Sequence, residues 1–241
     1  MRLIALLLTL GLVAACDEAA LPPSTSAPQQ TAVAPRTAQP TVVRSASIAE
    51  REFASVVRVM EPVAERECAR RTRGVNCDFR IVLDDRPNQP ANAFQTLDEN
   101  RRPVIVFNLR LLREAKNADE IAFVLGHEVA HHIEGHIDRQ RANAEAGAVL
   151  LAGLATYLGS NASGVESATQ LGAAVGARTY SKEFELEADA LGTVIAARAG
   201  YDPVRGADFF NRIPDPGDRF LGTHPPNAER IATVRRVAAG L

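Results

Sequence analysis

The stretch Gly126 to His136 reads GHEVAHHIEGH. Four of the five histidines in this 241-residue chain lie there, and His224 is the fifth. His127, Glu128 and His131 form an HExxH array. Four residues advance an α-helix by about 400°, so His127 and His131 share a face, one turn apart. Two imidazoles at that spacing can grip one Zn2+ ion. Glu128 need not be a ligand. Its carboxylate can reach a water on the ion and act as a general base. The chemistry this describes is hydrolysis of a peptide bond, with the ion lowering the pKa of the water. The bland alternative is a polar, solvated helix. Ile121, Leu125, Val129 and Ile133 oppose it, because they form an apolar row on another face.

A hydrolytic zinc site needs a third ligand and one open position. The metzincin pattern places glycine seven and histidine ten residues after the first His. Here Gly135 is eight on and His136 nine on. One residue is about 100° of helix, so local completion fails. His132 and His136 are therefore expected to be structural or surface histidines. The other candidates lie in SKEFELEADALG, Ser181 to Gly192, which holds Glu183, Glu185, Glu187 and Asp189. Glu185 and Asp189 are four apart and share a helical face. One could ligate while the other orients an imidazole. Taken alone, the run reads equally well as a solvated acidic face.

The elements that must position these groups follow from periodicity. Ile48 to about Arg73 has Phe53, Val56, Val57, Met60 and Ala64 at helical spacing, with Pro62 expected to bend it. Residues 78–85, 91–96 and 103–108 read as three short strands, with the hydrophilic run 98–102 as a turn. From Leu109 onward the pattern is helical. Asn117 is a plausible N-cap, with Glu120 three residues on. Residues 142–158 are rich in Ala, Leu and Gly and are expected to be a buried helix. Helices are also expected over 165–178, 181–199, 203–212 and 226–239. The fold class is thus α+β, mostly helical, with a small sheet before the HExxH helix.

The N-terminal residues MRLIALLLTLGLVAAC carry Arg2, an apolar run Leu3 to Val13, and small residues before Cys16. The run is too short to span a bilayer, which takes about 20 residues. Residues 1–15 are read as a lipoprotein signal peptide with Cys16 as the lipidated residue. An ordinary secretory signal is the competing reading. Residues 16–47 hold five prolines between Pro22 and Pro40 and form a tether. At about 3.1 Å per residue it reaches roughly 90 Å. Residues 48–241 suffice for one domain. The net charge is −2, with no basic run beside aromatics, which excludes nucleic acid as a partner. In an oxidising compartment Cys68 and Cys77 are expected to form a disulfide worth roughly 2–3 kcal/mol.

With both segments in hand the chain resembles the HtpX and CAAX prenyl endopeptidase family of zinc metallopeptidases, which are gluzincins (peptidase family M48). The family pattern Ser-Arg-x-x-Glu-x-Glu-Ala-Asp reads here Ser181-Lys182-Glu183-Phe184-Glu185-Leu186-Glu187-Ala188-Asp189, with Lys for Arg. Asn92-Ala93-Phe94, the strand Val104 to Phe107, Thr223-His224-Pro225-Pro226 and Arg230 extend the match over Phe53 to Val237. The resemblance implies a zincin-like domain with one Zn2+ held by His127, His131 and Glu185. Asp189 would support the ligands. His224 and Arg230 would stabilise the oxyanion, or His224 would block the zinc as a switch. The strand before the zinc helix would bind substrate as an added strand. The chain resembles the small lipoprotein members of the family. The expectation is a lipid-anchored, periplasm-facing endopeptidase of the bacterial envelope that cleaves misfolded envelope proteins or peptides. The alternative is a chaperone-like assembly factor whose zinc site is gated or largely silent.

Overall fold

In a computed structural model the described residues are 45–179, 181–217 and 224–241. The expected signal peptide, Cys16 and the tether up to residue 44 lie outside them. Helix α1 (Ala46–Arg71) starts two residues before the expected domain boundary. It buries Ala49, Phe53, Val56, Met60, Val63 and Ala64, whose spacing of three and four makes one apolar stripe. The helix runs through Pro62, which lacks an N–H to donate. A disulfide between Cys68 and Cys77 ties the end of α1 to the segment that follows it, as expected.

Strands β1 (Arg80–Asp84), β2 (Ala93–Leu97) and β3 (Pro103–Asn108) form one sheet in the order β1-β3-β2. β1 runs parallel to β3, and Ile81 lies opposite Ile105. β2 runs antiparallel to β3, and Gln95 faces Ile105 from the other side. The middle strand β3 carries the apolar run PVIVFN and is almost wholly buried. Asp98 shapes the β2–β3 turn by accepting from the backbone N–H groups of Asn100 and Arg102. β2 is left as an edge.

After α2 (Leu109–Glu114), helix α3 (Ala118–Ile133) runs through the middle of the fold. The Asn117 side chain accepts from the Glu120 N–H at 3.0 Å, so the expected cap is in place. Ile121, Phe123, Leu125 and Val129 are all buried, against α1 on one side and α6 (Ser181–Arg198) on the other. α3 ends at Ile133. Gly135 then takes φ +67°, a left-handed conformation open to glycine, and α4 (His136–Tyr157) begins in a new direction. The histidine cluster is therefore split between two helices.

The sheet and the remaining helices follow the expected order, with α5 (Ala162–Arg178) before α6. A short α7 (Pro203–Gly206), a 3-10 turn (Ala207–Asn211) and α8 (Asn227–Ala238) close the chain. One expectation fails. Residues 142–158 are not a buried helix. In α4 only His136 and Ala155 are fully buried, while Val149, Leu150, Tyr157 and Leu158 are exposed, Tyr157 by 87%. The small residues of α4 are used to pack α5. Gly147 meets the backbone of Gly172, and Gly176 meets that of Asn143. The pair forms a hairpin whose outer faces keep their aliphatic residues. Among the described residues no helix is long and apolar enough to cross a membrane.

α3 and α6 meet through backbone. A Cβ on Gly126 would lie 2.7 Å from the Gly192 carbonyl oxygen, and one on Gly192 would lie 2.7 Å from the His127 nitrogen. Neither atom can give way without moving a helix. Gly126→Ala is expected to cost about 1–3 kcal/mol by overpacking, despite alanine's better helix propensity. Gly153, which faces open space, is the control. Gly153→Ala should be neutral or stabilising by up to about 1 kcal/mol. Urea denaturation of the two variants checks the contrast, and equal behaviour would contradict the close packing.

Candidate metal centre

The crossing of α3 over α6 brings three donors together. His127 and His131 project from the same face of α3, and their Nε2 atoms lie 3.0 Å apart. Glu185, in the second turn of α6, places Oε2 3.6 Å from His127 Nε2 and Oε1 3.4 Å from His131 Nε2. A tetrahedral ion with bonds of about 2.0–2.2 Å needs donors roughly 3.3–3.6 Å apart. The two histidine–glutamate distances match that spacing, the 3.0 Å between the imidazole nitrogens is slightly shorter, and the donor set of two imidazoles and a carboxylate suits a single divalent cation. Among the described residues this is the one group of three such donors that could hold a metal. Glu128 is half-buried and lines the same cleft without joining the three donors.

A second layer holds these side chains. Asp189, one turn beyond Glu185 and wholly buried, accepts from His127 Nδ1–H at 2.9 Å. That bond fixes the tautomer that leaves Nε2 free to ligate. Arg230, on α8, donates to both Asp189 oxygens at 2.7 Å and comes within 3.4 Å of Glu185 Oε2. Its guanidinium lies over the Phe210 ring, 4.1 Å from the centroid. Burial alone would raise the Glu185 and Asp189 pKa values, but neighbouring cationic and imidazole groups more than reverse it, and both carboxylates are held below their ordinary range. Burial likewise opposes charging His127, yet the Asp189 hydrogen bond and the nearby carboxylates shift it upward overall.

His131 is held differently. Its Nδ1 lies 2.8 Å from Nδ1 of His136, and His136 Nε2 lies 3.0 Å from Glu187 Oε2. His136 is buried and stacked on Phe184, with ring centroids 4.6 Å apart and planes within 8°. Burial is the main cause that pushes its pKa down to about 4. Of the two roles expected for His136, structural or surface, the structure shows the structural one. The spacing argument assumed one continuous helix, and the break at Gly135 turns His136 back toward His131. A glycine just past the last residue of an apolar row is a helix-end signal, and it could have revealed the break. His132 is structural, as expected. Its Nε2 lies 2.7 Å from the Asn76 carbonyl, and its ring meets Phe79 edge-on.

The three donors open into a cleft of roughly 1100 Å³. Its rim includes Ala93 and Phe94 of the β2 edge and Asn92 just before it. His224 also lines it, 53% exposed at the side chain, with Nε2 3.8 Å from Glu185 Oε2. A cleft with an exposed strand edge, a cation-binding triad and a free carboxylate beside it has the parts needed for hydrolysis of an extended chain.

The family model described as peptidase family M48 matches residues 50–238. This chain belongs to peptidase family M48. A beta-barrel assembly-enhancing protease of Yersinia pestis is 28% identical over 164 residues, covering 63% of this chain and 33% of that protein. A putative beta-barrel assembly-enhancing protease of Vibrio cholerae is 32% identical over 145 residues, covering 53% and 29%. The mitochondrial metalloendopeptidase OMA1 of Arabidopsis thaliana is 30% identical over 131 residues, covering 53% and 26%. The M48 chain thus spans about a third of the length, or less, of these relatives.

Within the M48 domain, His127, Glu128, His131, Glu185, His224 and Arg230 line one cleft with Asp189 buried behind them, although they come from three helices and a loop. The resemblance drawn from the sequence holds at the level of the family. The Asp189–Arg230 pair is buried, so removing one partner takes two hydrogen bonds from the other and leaves its charge only partly compensated. Asp189→Ala should destabilise the M48 domain by about 3–5 kcal/mol. Adding Arg230→Ala should cost much less than a second loss of that size, because the two effects are coupled. Denaturant titration of the two singles and the double checks this, and additive losses would refute the coupling.

Proposed function

We propose that the chain is a zinc-dependent endopeptidase that acts on proteins of the bacterial envelope. One observation carries the reading: His127, His131 and Glu185 converge with their donor atoms 3.0–3.6 Å apart beside Glu128, in a cleft edged by β2. His127, His131 and Glu185 would hold the ion. The chemistry a bound zinc supplies is Lewis acidity toward water and the scissile carbonyl.

The rest is done by the chain. The β2 edge offers its unpaired backbone groups to an extended substrate, which fixes the direction of the scissile bond. The Glu128 carboxylate takes a proton from the attacking water and passes it to the departing amine nitrogen. Asp189 keeps His127 in the tautomer that points Nε2 at the other donors. Arg230 balances the buried charges of Asp189 and Glu185. His224 stands at the cleft mouth, where its imidazole can meet the oxyanion or lie across the site.

The names of the Yersinia and Vibrio relatives, beta-barrel assembly-enhancing proteases, support a protease whose work bears on beta-barrel assembly. The N-terminal segment supports a signal peptide over 1–15, a lipid on Cys16 and a periplasm-facing domain on a tether. Two experiments test these assignments. Glu128→Gln should bind one zinc per chain like the wild type yet cleave casein about 100-fold to 10,000-fold more slowly. Glu185→Ala should lose the zinc. Wild-type cleavage by the first variant, or full zinc in the second, would overturn the mechanism. For the anchor, Cys16→Ala should move the protein from the membrane fraction to the soluble fraction of lysed cells. Retention in the membrane would refute the lipid.

A further inference from the structure

Each ligating imidazole has two nitrogens, and the one turned away from the ion decides the tautomer. For His127 that nitrogen meets Asp189. For His131 it meets a histidine. We propose that His136 and Glu187 form a relay that locks His131 in its ligating tautomer, making His136 a positioning residue for the metal centre. The inference rests on the metal-binding reading of His127, His131 and Glu185.

The proton positions follow from the distances. His131 Nε2 lies 3.0 Å from His127 Nε2 and 3.4 Å from Glu185 Oε1, so its lone pair must face the ion. The His131 proton therefore sits on Nδ1, and it points at His136 Nδ1, 2.8 Å away. His136 Nδ1 can accept only if its own proton sits on Nε2. That nitrogen lies 3.0 Å from Glu187 Oε2 and donates to it. Glu187 is held in turn by Arg139, whose Nη1 donates to Oε2 at 2.5 Å, and the Arg139 guanidinium lies over Phe184. Every link has one donor and one acceptor, and the chain of bonds runs one way.

The parts come from places that only the fold unites. His136 opens α4, just past the left-handed Gly135. Glu187 sits two residues after Glu185 on α6, so the same helix supplies a metal donor and the end of the relay. This gives the second glutamate of the ELEAD segment a task distinct from that of the first. The stack of His136 on Phe184, itself buried, holds the ring plane in which the two nitrogens face their partners.

A purely structural role and the relay separate cleanly by substitution. His136→Phe keeps the ring and its stack but cannot accept a hydrogen bond. His136→Asn gives up the stack but can place its side-chain oxygen where Nδ1 stood. The full-length wild type, both variants and Glu185→Ala are titrated with zinc against a chelating dye, and their melting temperatures are recorded. The expected result is a 10-fold to 100-fold weaker zinc affinity for His136→Phe with its melting temperature near that of the wild type, and an affinity within a few-fold of wild type for His136→Asn. Wild-type affinity in His136→Phe, while Glu185→Ala loses zinc, would overturn the relay alone. Equal losses in both His136 variants would also overturn it, since the acceptor would then not matter. Absence of zinc binding by the wild type would overturn the metal centre and the relay together.

Discussion

Where α3 crosses α6, no side chain separates the two backbones. Gly126 and Gly192 let the helices touch, and the metal donors are positioned from that contact. His127 follows Gly126 directly, and Glu185 stands seven residues, about two turns, before Gly192. A helix pair held apart by ordinary side chains sits about 8–10 Å between axes. A glycine pair shortens that approach, so a glutamate side chain from one helix can reach imidazoles on the other. The remaining packing serves to keep this crossing rigid. α1 backs α3 on the far side, and α8 braces α6 through Arg230.

The same crossing gathers charge in a place that water barely reaches. Glu185 and Asp189 are both kept ionised, one pointing at the imidazole nitrogens and one behind them. Arg230 neutralises part of that charge from below. A divalent ion at the three donors would more than offset the remaining negative charge. The arrangement is costly as a set of isolated charges and favourable as a network, which is why its members are held by two or more partners each. His131 completes the pattern, with its outer nitrogen reached by an imidazole where His127 is reached by a carboxylate.

Much of this was legible in the sequence, and the exceptions share one cause. The HExxH pair could be read because both ligands lie within one turn of one helix, where spacing alone sets geometry. The Asn117 cap, the α1 stripe and the three strands could be read for the same local reason. Glu185 lies 54 residues beyond His131, and no spacing rule spans a tertiary crossing, so its role came through the family resemblance. Helical arithmetic sets His136 aside as a ligand but does not place it, because the backbone changes hand at Gly135. The Ala/Gly-rich stretch after it reads as a buried helix because small residues signal close packing. They do pack closely, but against α5, which the composition of one segment cannot specify.

The α4–α5 hairpin also bears on how the two halves of the site find each other. Ile133 and Ser181 end and begin the helices that carry the ligands, and the chain between them must close a long loop before the donors can meet. Loop closure by a flexible chain costs entropy that grows with its length. A helical hairpin forms from contacts close in sequence, which makes it quick to assemble. Once folded, it brings its own two ends side by side. The search that α6 must make for α3 then becomes a short one. The hairpin that contributes little to the core therefore shortens the folding route to the site, and its length could change without moving a single ligand.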